Sequence, residues 1–139
     1  MIDLRTRFGG QVVAMNQLYK RLLTLKQQNI PVTIGMVADQ SAPPESAYWT
    51  KFLNQDTAVF SGPEKLSKKF NYPVLYLNIK KVKRNYYSLT TTILTEDPGS
   101  LPEGVITEMH IRALEKNILA QPYSWLWSHR RWKHTKPQA

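Results

Sequence analysis

Four short stretches of this sequence carry residue types suited to holding an anion or a polar head group. Thr57-Ala58-Val59-Phe60-Ser61-Gly62-Pro63-Glu64 reads as a strand end, a glycine that lets the backbone approach closely, and a helix start. A helix N-terminus offers free N–H groups and a partial positive charge, which suits phosphate. The plainer reading, a strand-to-helix turn, is the commoner outcome for so short a motif. Asp39-Gln40 closes an apolar run, and ligands of open α/β sheets gather at the carboxyl ends of strands. Turn capping is the commoner use of an aspartate there. Arg5-Thr6-Arg7 offers guanidinium forks that match phosphate or carboxylate oxygens, against a plain reading as solvated charge.

The fourth stretch runs from Pro122 to Lys133 and places Trp125, Trp127 and Trp132 around His129-Arg130-Arg131. Tryptophan favours the head-group layer of a bilayer and basic residues favour anionic lipid. At about 1 kcal/mol each, Arg130, Arg131, Lys133 and Lys136 would together add up to about 4 kcal/mol, on the order of a thousandfold in affinity. The competing reading is an aromatic plug in the core with a basic tail in solvent. Both are expected at once: Trp125 or Trp127 buried, the arginines exposed.

The histidines offer less. His110 is followed five positions later by Glu115, but within a stretch that reads as a structural helix, and His129 and His134 fall in the tail. No His/Asp/Ser set has local support, and no metal-ligand pair stands at i, i+4 with acidic company. The residues alone therefore establish no catalytic group, metal site or cofactor site.

The elements that must position these groups fit one domain over residues 1–139. Net charge is +9, which seeks nucleic acid, anionic lipid or an acidic protein, and does not choose among them. With no cysteine, disulfides and thiolate metal sites are excluded. No apolar run approaches the roughly 20 residues that span a bilayer, and charged residues follow Met1 where a signal peptide has its apolar region. An anchor, if there is one, is expected in a preceding segment.

After an opening loop, Gln11 to Asn29 repeats Val12, Met15, Leu18, Tyr19, Leu22 and Leu25 at helical steps. Val32 to Ala38 reads as a strand buried on both faces of a parallel sheet. Ser41 to Asn54 reads as a long loop carrying exposed Tyr48, Trp49 and Phe52. A brief strand over Thr57–Phe60 precedes a helix from Gly62 to about Phe70. Pro73–Val82 and Tyr86–Leu94 alternate as the strands of an antiparallel hairpin. A helix from about Val105 to Ala120 carries the stripe Ile106, Met109, Ala113, Leu114 and Ile118, with Thr107 preferred over Ser100 as its N-cap. Tyr123–Trp132 reads as a second short helix. The order predicts an α/β fold, a mixed and mostly parallel sheet flanked by helices. Opening on a helix hints that a first strand is missing.

In order, Arg5-Thr6-Arg7-Phe8-Gly9, Gly35-Met36-Val37-Ala38-Asp39-Gln40, Phe60-Ser61-Gly62-Pro63-Glu64-Lys65-Leu66, Tyr72-Pro73-Val74, Leu114-Glu115 and Trp125-Leu126-Trp127-Ser128-His129-Arg130-Arg131-Trp132-Lys133 resemble the lipid A biosynthesis acyltransferases of the lysophospholipid acyltransferase superfamily. The resemblance covers nearly the whole chain but about the last half of a typical member. It implies an incomplete glycerolipid-acyltransferase-like fold. It also implies transfer of a fatty acyl chain from acyl carrier protein to a hydroxyl of a lipid A precursor, at the cytoplasmic face of the bacterial inner membrane. The family's base is a histidine in a His-x4-Asp or His-x4-Glu motif early in the globular domain, which abstracts the acceptor proton. His110 to Glu115 copies that spacing in a late helix and is not given the role, so the chain alone is expected to be inactive.

The resemblance assigns Arg5 or Arg7 to a phosphate or polar head of the acceptor, Gly62 and Glu64 to an acceptor-contacting block, and Asp39 to the aspartate after the central strand. Trp127, Arg130, Arg131, Trp132 and Lys133 are the expected contacts with anionic lipid. Expected partners are acyl carrier protein, a phosphorylated glycolipid and the membrane surface, with no nucleic acid and no cofactor. Two other readings stay in view: a non-catalytic remnant that binds anionic lipid or carrier protein, and a basic nucleic-acid-binding domain. Loss of early strands is expected to expose a sheet edge and apolar surface, inviting oligomers.

Overall fold

The computed structural model describes residues 5–137, which divide into two compact units between Gly35 and Met36. In the first, helix α1 spans Met15–Gln27 and buries Leu22. It ends because Asn29 turns left-handed at φ 53°, while the Ile30 N–H reaches back to the Leu25 carbonyl at 3.0 Å. Asparagine tolerates that conformation, and the long back-bond satisfies one of the last helical carbonyls. Arg5, Arg7 and the expected opening loop belong to this unit, and both arginines are exposed.

The second unit holds the core. Strands β1 (Tyr48–Phe52) and β2 (Gln55–Val59) pair antiparallel, Phe52 opposite Gln55. Leu53 and Asn54 join them with φ of 48° and 63°. A hairpin closed by two residues needs positive φ at both, so that its twist matches the strands. Helix α2 (Gly62–Phe70) follows, with Pro63 in its first turn. Strands β3 (Val74–Lys83) and β4 (Tyr86–Thr95) form a second, longer antiparallel ribbon, and α3 runs Val105–Ala120.

α3 lays Ile111, Leu114 and Ile118 against Phe52 and Val59 of the first hairpin, with Leu53, Tyr76, Trp125 and Trp132 packed around them. Apolar residues at i, i+3 and i+7 share one helical face. Fully burying each such side chain contributes about 1.5–3 kcal/mol.

Several expectations need correction. The fold is mixed α and β, but its strands form two small antiparallel pairs, not a mostly parallel sheet. Val32–Ala38 is not a strand: a strand is a hydrogen-bonded pairing, and no other described segment ladders onto it. Ser41–Asn54 is not all loop, since it contains β1, and Phe52 is 0% exposed. The hairpin turn there carries no glycine, so its usual sequence signal is missing. Thr107 is not the N-cap of α3: Gly104 occupies that position, left-handed at φ 88°. Tyr123–Trp132 makes only a short 3₁₀ turn at Pro122–Ser124 and then irregular turns. The Trp127 and Arg131 N–H groups bond to carbonyls only two residues back, at 3.0 and 2.8 Å, where a helix would reach four back.

Candidate functional site

Glu64 sits in the first turn of α2 and is 3% exposed. Its Oε1 accepts the Gly104 N–H at 2.6 Å, and its Oε2 accepts the Thr107 N–H at 2.9 Å and the Thr107 hydroxyl at 2.6 Å. The Lys68 ammonium stands 3.6 Å away. These are the donors that the first turn of a helix leaves without intrahelical partners. A carboxylate from α2 therefore caps α3, and it carries negative charge to the positive end of that helix dipole. Burial pushes the Glu64 carboxyl up, but the hydrogen bonds from Thr107 and Gly104 and the charge of Lys68 together hold it below the ordinary glutamate range.

Gly104 is the partner that the sequence reading missed. A Cβ there would meet the Tyr48 ring at 2.7 Å, besides its positive φ. The only local signal was a glycine immediately ahead of a helical stripe. Gly62 is the opposite case, since a Cβ built on it meets nothing within 4 Å. The fold itself therefore does not demand a glycine at that position. Ser61, Glu64, Lys65, Lys68, Tyr48 and Gly104 line a cavity of about 370 Å³ at this end of α2.

A second polar cluster gathers around Asp39. Its charge acts on Tyr76, His110 and Arg131, which come from β3, α3 and the tail. Arg131 is 1% exposed. Its Nη1 donates to the Gln40 carbonyl at 2.6 Å and the Ala58 carbonyl at 3.0 Å, and its guanidinium lies 5.5 Å from the Phe52 ring centre. Arg131 Nε and Nη2, Asp39 Oδ1 and Ser41 Oγ are buried with no hydrogen-bond partner among the described residues. Buried polar groups are nearly always paired, so this cluster is unusual. His110 packs its ring 5.9 Å from Tyr76, and burial, with help from Arg131, pushes its pKa down against the pull of Asp39.

His110 and Glu115 do not act as a pair. Residues five apart on an α-helix are separated by roughly 140° around its axis. Glu115 Oε1 accepts the Leu53 N–H at 2.5 Å, and its other oxygen pairs with Arg112, which also donates to the Lys51 carbonyl. The carboxylate thus pins the β1–β2 turn, with no contact to the imidazole.

The tail corrects the expected lipid contacts. Arg131 is buried and not at the surface, because the loop carbonyl of Gln40, the β2 carbonyl of Ala58 and an aromatic face replace water around it. Trp132 is partly buried: its indole N–H donates to the Thr57 hydroxyl at 2.8 Å and its ring lies 6.2 Å from Phe52. Trp125 also packs against Phe52, edge-on at 6.1 Å. Trp127, Arg130 and Lys133 are exposed, beside exposed Leu119, Tyr123 and Leu126. The Trp-Arg run is therefore divided, with Trp125, Arg131 and Trp132 closing the core and Leu126, Trp127, Arg130 and Lys133 facing outward.

Among the described residues no group of three or more His, Cys, Asp or Glu side chains converges for a metal ion, and no helix is long and apolar enough to cross a membrane.

The family model for bacterial lipid A biosynthesis acyltransferases matches residues 1–134. The chain belongs to that family. No curated relative and no solved structure matches it.

Proposed function

We propose that this chain is the C-terminal part of an acyltransferase that moves a fatty acyl chain from acyl carrier protein to a hydroxyl of a lipid A precursor. The reaction forms an ester as the acceptor oxygen attacks the thioester carbonyl, and the carrier thiol leaves with the proton. Family membership supports the reaction class. The observation that carries the assignment to this part of the chain is the Asp39 cluster. An aspartate, a serine and a buried arginine present unpartnered polar atoms around the Asp39-Gln40 turn, which the resemblance matches to the aspartate after the family's central strand.

In this reading Asp39 orients the acceptor and Gly62 leaves room for it; the assignment of Arg5 or Arg7 to a phosphate or polar head rests on the resemblance alone. Glu64 acts at one remove, by fixing the start of α3 against α2. The base is not among these residues: none of the three histidines stands in an early His-x4-Asp/Glu motif. Exposed Trp127, Arg130 and Lys133 are the proposed tail contacts with anionic lipid at the cytoplasmic face of the inner membrane. With Arg131 and Trp132 in the core, Arg130, Lys133 and Lys136 leave up to about 3 kcal/mol for that contact.

The test is direct. The chain is mixed with acyl carrier protein loaded with a labelled acyl group and a lipid A precursor. Binding of the precursor without transfer is expected, with Asp39→Asn weakening binding and Gly62→Ala leaving the fold unchanged while weakening it too. Turnover by the chain alone would overturn the assignment of the base, and precursor binding indifferent to Asp39 would overturn the assignment of the site.

A further inference from the structure

Arg131 carries a positive charge into a place that charged side chains rarely occupy. Its Nη1 gives one bond to the Gln40 carbonyl, next to Asp39, and one to the Ala58 carbonyl on β2. The same Ala58 carbonyl accepts the Ala42 N–H at 3.3 Å. The chain after the Asp39-Gln40 turn, the strand β2 and the tail thus meet at one oxygen. Carbonyl dipoles offset part of the cost of burying a guanidinium, but a buried ion also calls for an opposite charge. The carboxylate whose charge acts on Arg131 is Asp39.

The two groups are complementary but not bonded. Nε and Nη2 form the guanidinium edge that meets a carboxylate through two parallel hydrogen bonds. On Arg131 that edge has no partner among the described residues, and neither has the buried Oδ1 of Asp39. Asp39 as a whole is partly exposed, so the residue reaches from this interior cluster to the surface. Tyr76 from β3 and His110 from α3 also lie in the field of its carboxylate. Burial lowers the His110 pKa, the Asp39 charge raises it and the Arg131 charge lowers it, so this imidazole senses both charges at once.

We infer that Arg131 is a positioning residue for Asp39: from the tail it fixes the Asp39-Gln40 turn against β2 and opposes the carboxylate with a buried charge. The coupling of the two residues stands on this geometry, and its consequence for the acceptor rests on the site proposed above. His110, one of three histidines, is the reporter, its ring protons followed by NMR across pH. Asp39→Asn is expected to lower its pKa and Arg131→Met to raise it, while Arg131→Lys, which keeps the charge, leaves it near the wild-type value. Trp132→Phe loosens the same tail by removing the bond to Thr57 without touching either charge, and is expected to leave His110 unmoved. In binding of the lipid A precursor, Arg131→Met is expected to lose about tenfold or more, and Arg131→Lys and Trp132→Phe about threefold or less. Should Arg131→Met not fold, the wild-type guanidinium is read instead: its Nε–H resonance is expected to exchange slowly with solvent and to move in Asp39→Asn. A His110 pKa indifferent to Arg131→Met, or an Nε–H resonance indifferent to Asp39→Asn, overturns the inference. So does Trp132→Phe matching Arg131→Met in both His110 and precursor binding, which would make Arg131 a plain tail anchor. If the precursor binds no form of the chain, wild type included, the acceptor site falls, and the His110 and Nε–H responses still decide the coupling of Arg131 to Asp39.

Discussion

Glu64 is a buried carboxylate whose role is decided by its donors. With its folded-state pKa depressed, its stabilising contribution is fully present above the ordinary glutamate value of about 4.3 and is lost as pH falls through the lower folded value. Glu64→Gln is therefore expected to lower stability at neutral pH and to flatten its decline below about pH 4.3, read from urea midpoints across pH. Glu64→Ala strands the Gly104 and Thr107 N–H groups and is expected to cost about 2–3 kcal/mol. Gly104→Ala meets both the Tyr48 ring and an unfavourable φ, and a loss of about 1–3 kcal/mol is expected in the same assay. At Gly62 the same change meets open space and is expected to leave the midpoint within about 0.5 kcal/mol.

Among the elements, α3 organises the second unit. One face supplies Ile111, Leu114 and Ile118 to the core, another sends Glu115 to the Leu53 turn, and its first turn receives Glu64. Ile111→Ala is expected to cost about 2–5 kcal/mol, measured by thermal or urea unfolding. Glu115→Gln keeps an acceptor for Leu53 but weakens the pairing with Arg112. A smaller loss is expected, and a double-mutant cycle with Arg112→Met should show coupling because both hold the same hairpin. α3 and the β3–β4 ribbon were legible in the sequence because their apolar spacing is regular over ten or more residues. β1 was hidden because its turn uses Leu53-Asn54, without the glycine that marks most tight hairpins.

For the whole molecule, the net charge of +9 predicts a salt-dependent search for anionic surfaces. Binding to phosphatidylglycerol vesicles is expected to fall at least about tenfold between 50 and 500 mM salt, roughly, by sedimentation. Duplex or single-stranded nucleic acid that outcompetes those vesicles at equal salt would favour the basic nucleic-acid-binding alternative instead.

The sequence by itself determined the family, the charge, the α3 stripe and the second hairpin, all of which rest on residue order and local period. Only the tertiary structure decided which members of the Trp125–Lys133 run face inward, that Glu64 caps a helix some forty residues away, and that Asp39, Ser41 and Arg131 share one buried cluster. Those outcomes depend on long-range closure: a side chain is buried or solvated according to which distant backbone groups and rings meet it, and no local spacing encodes that meeting.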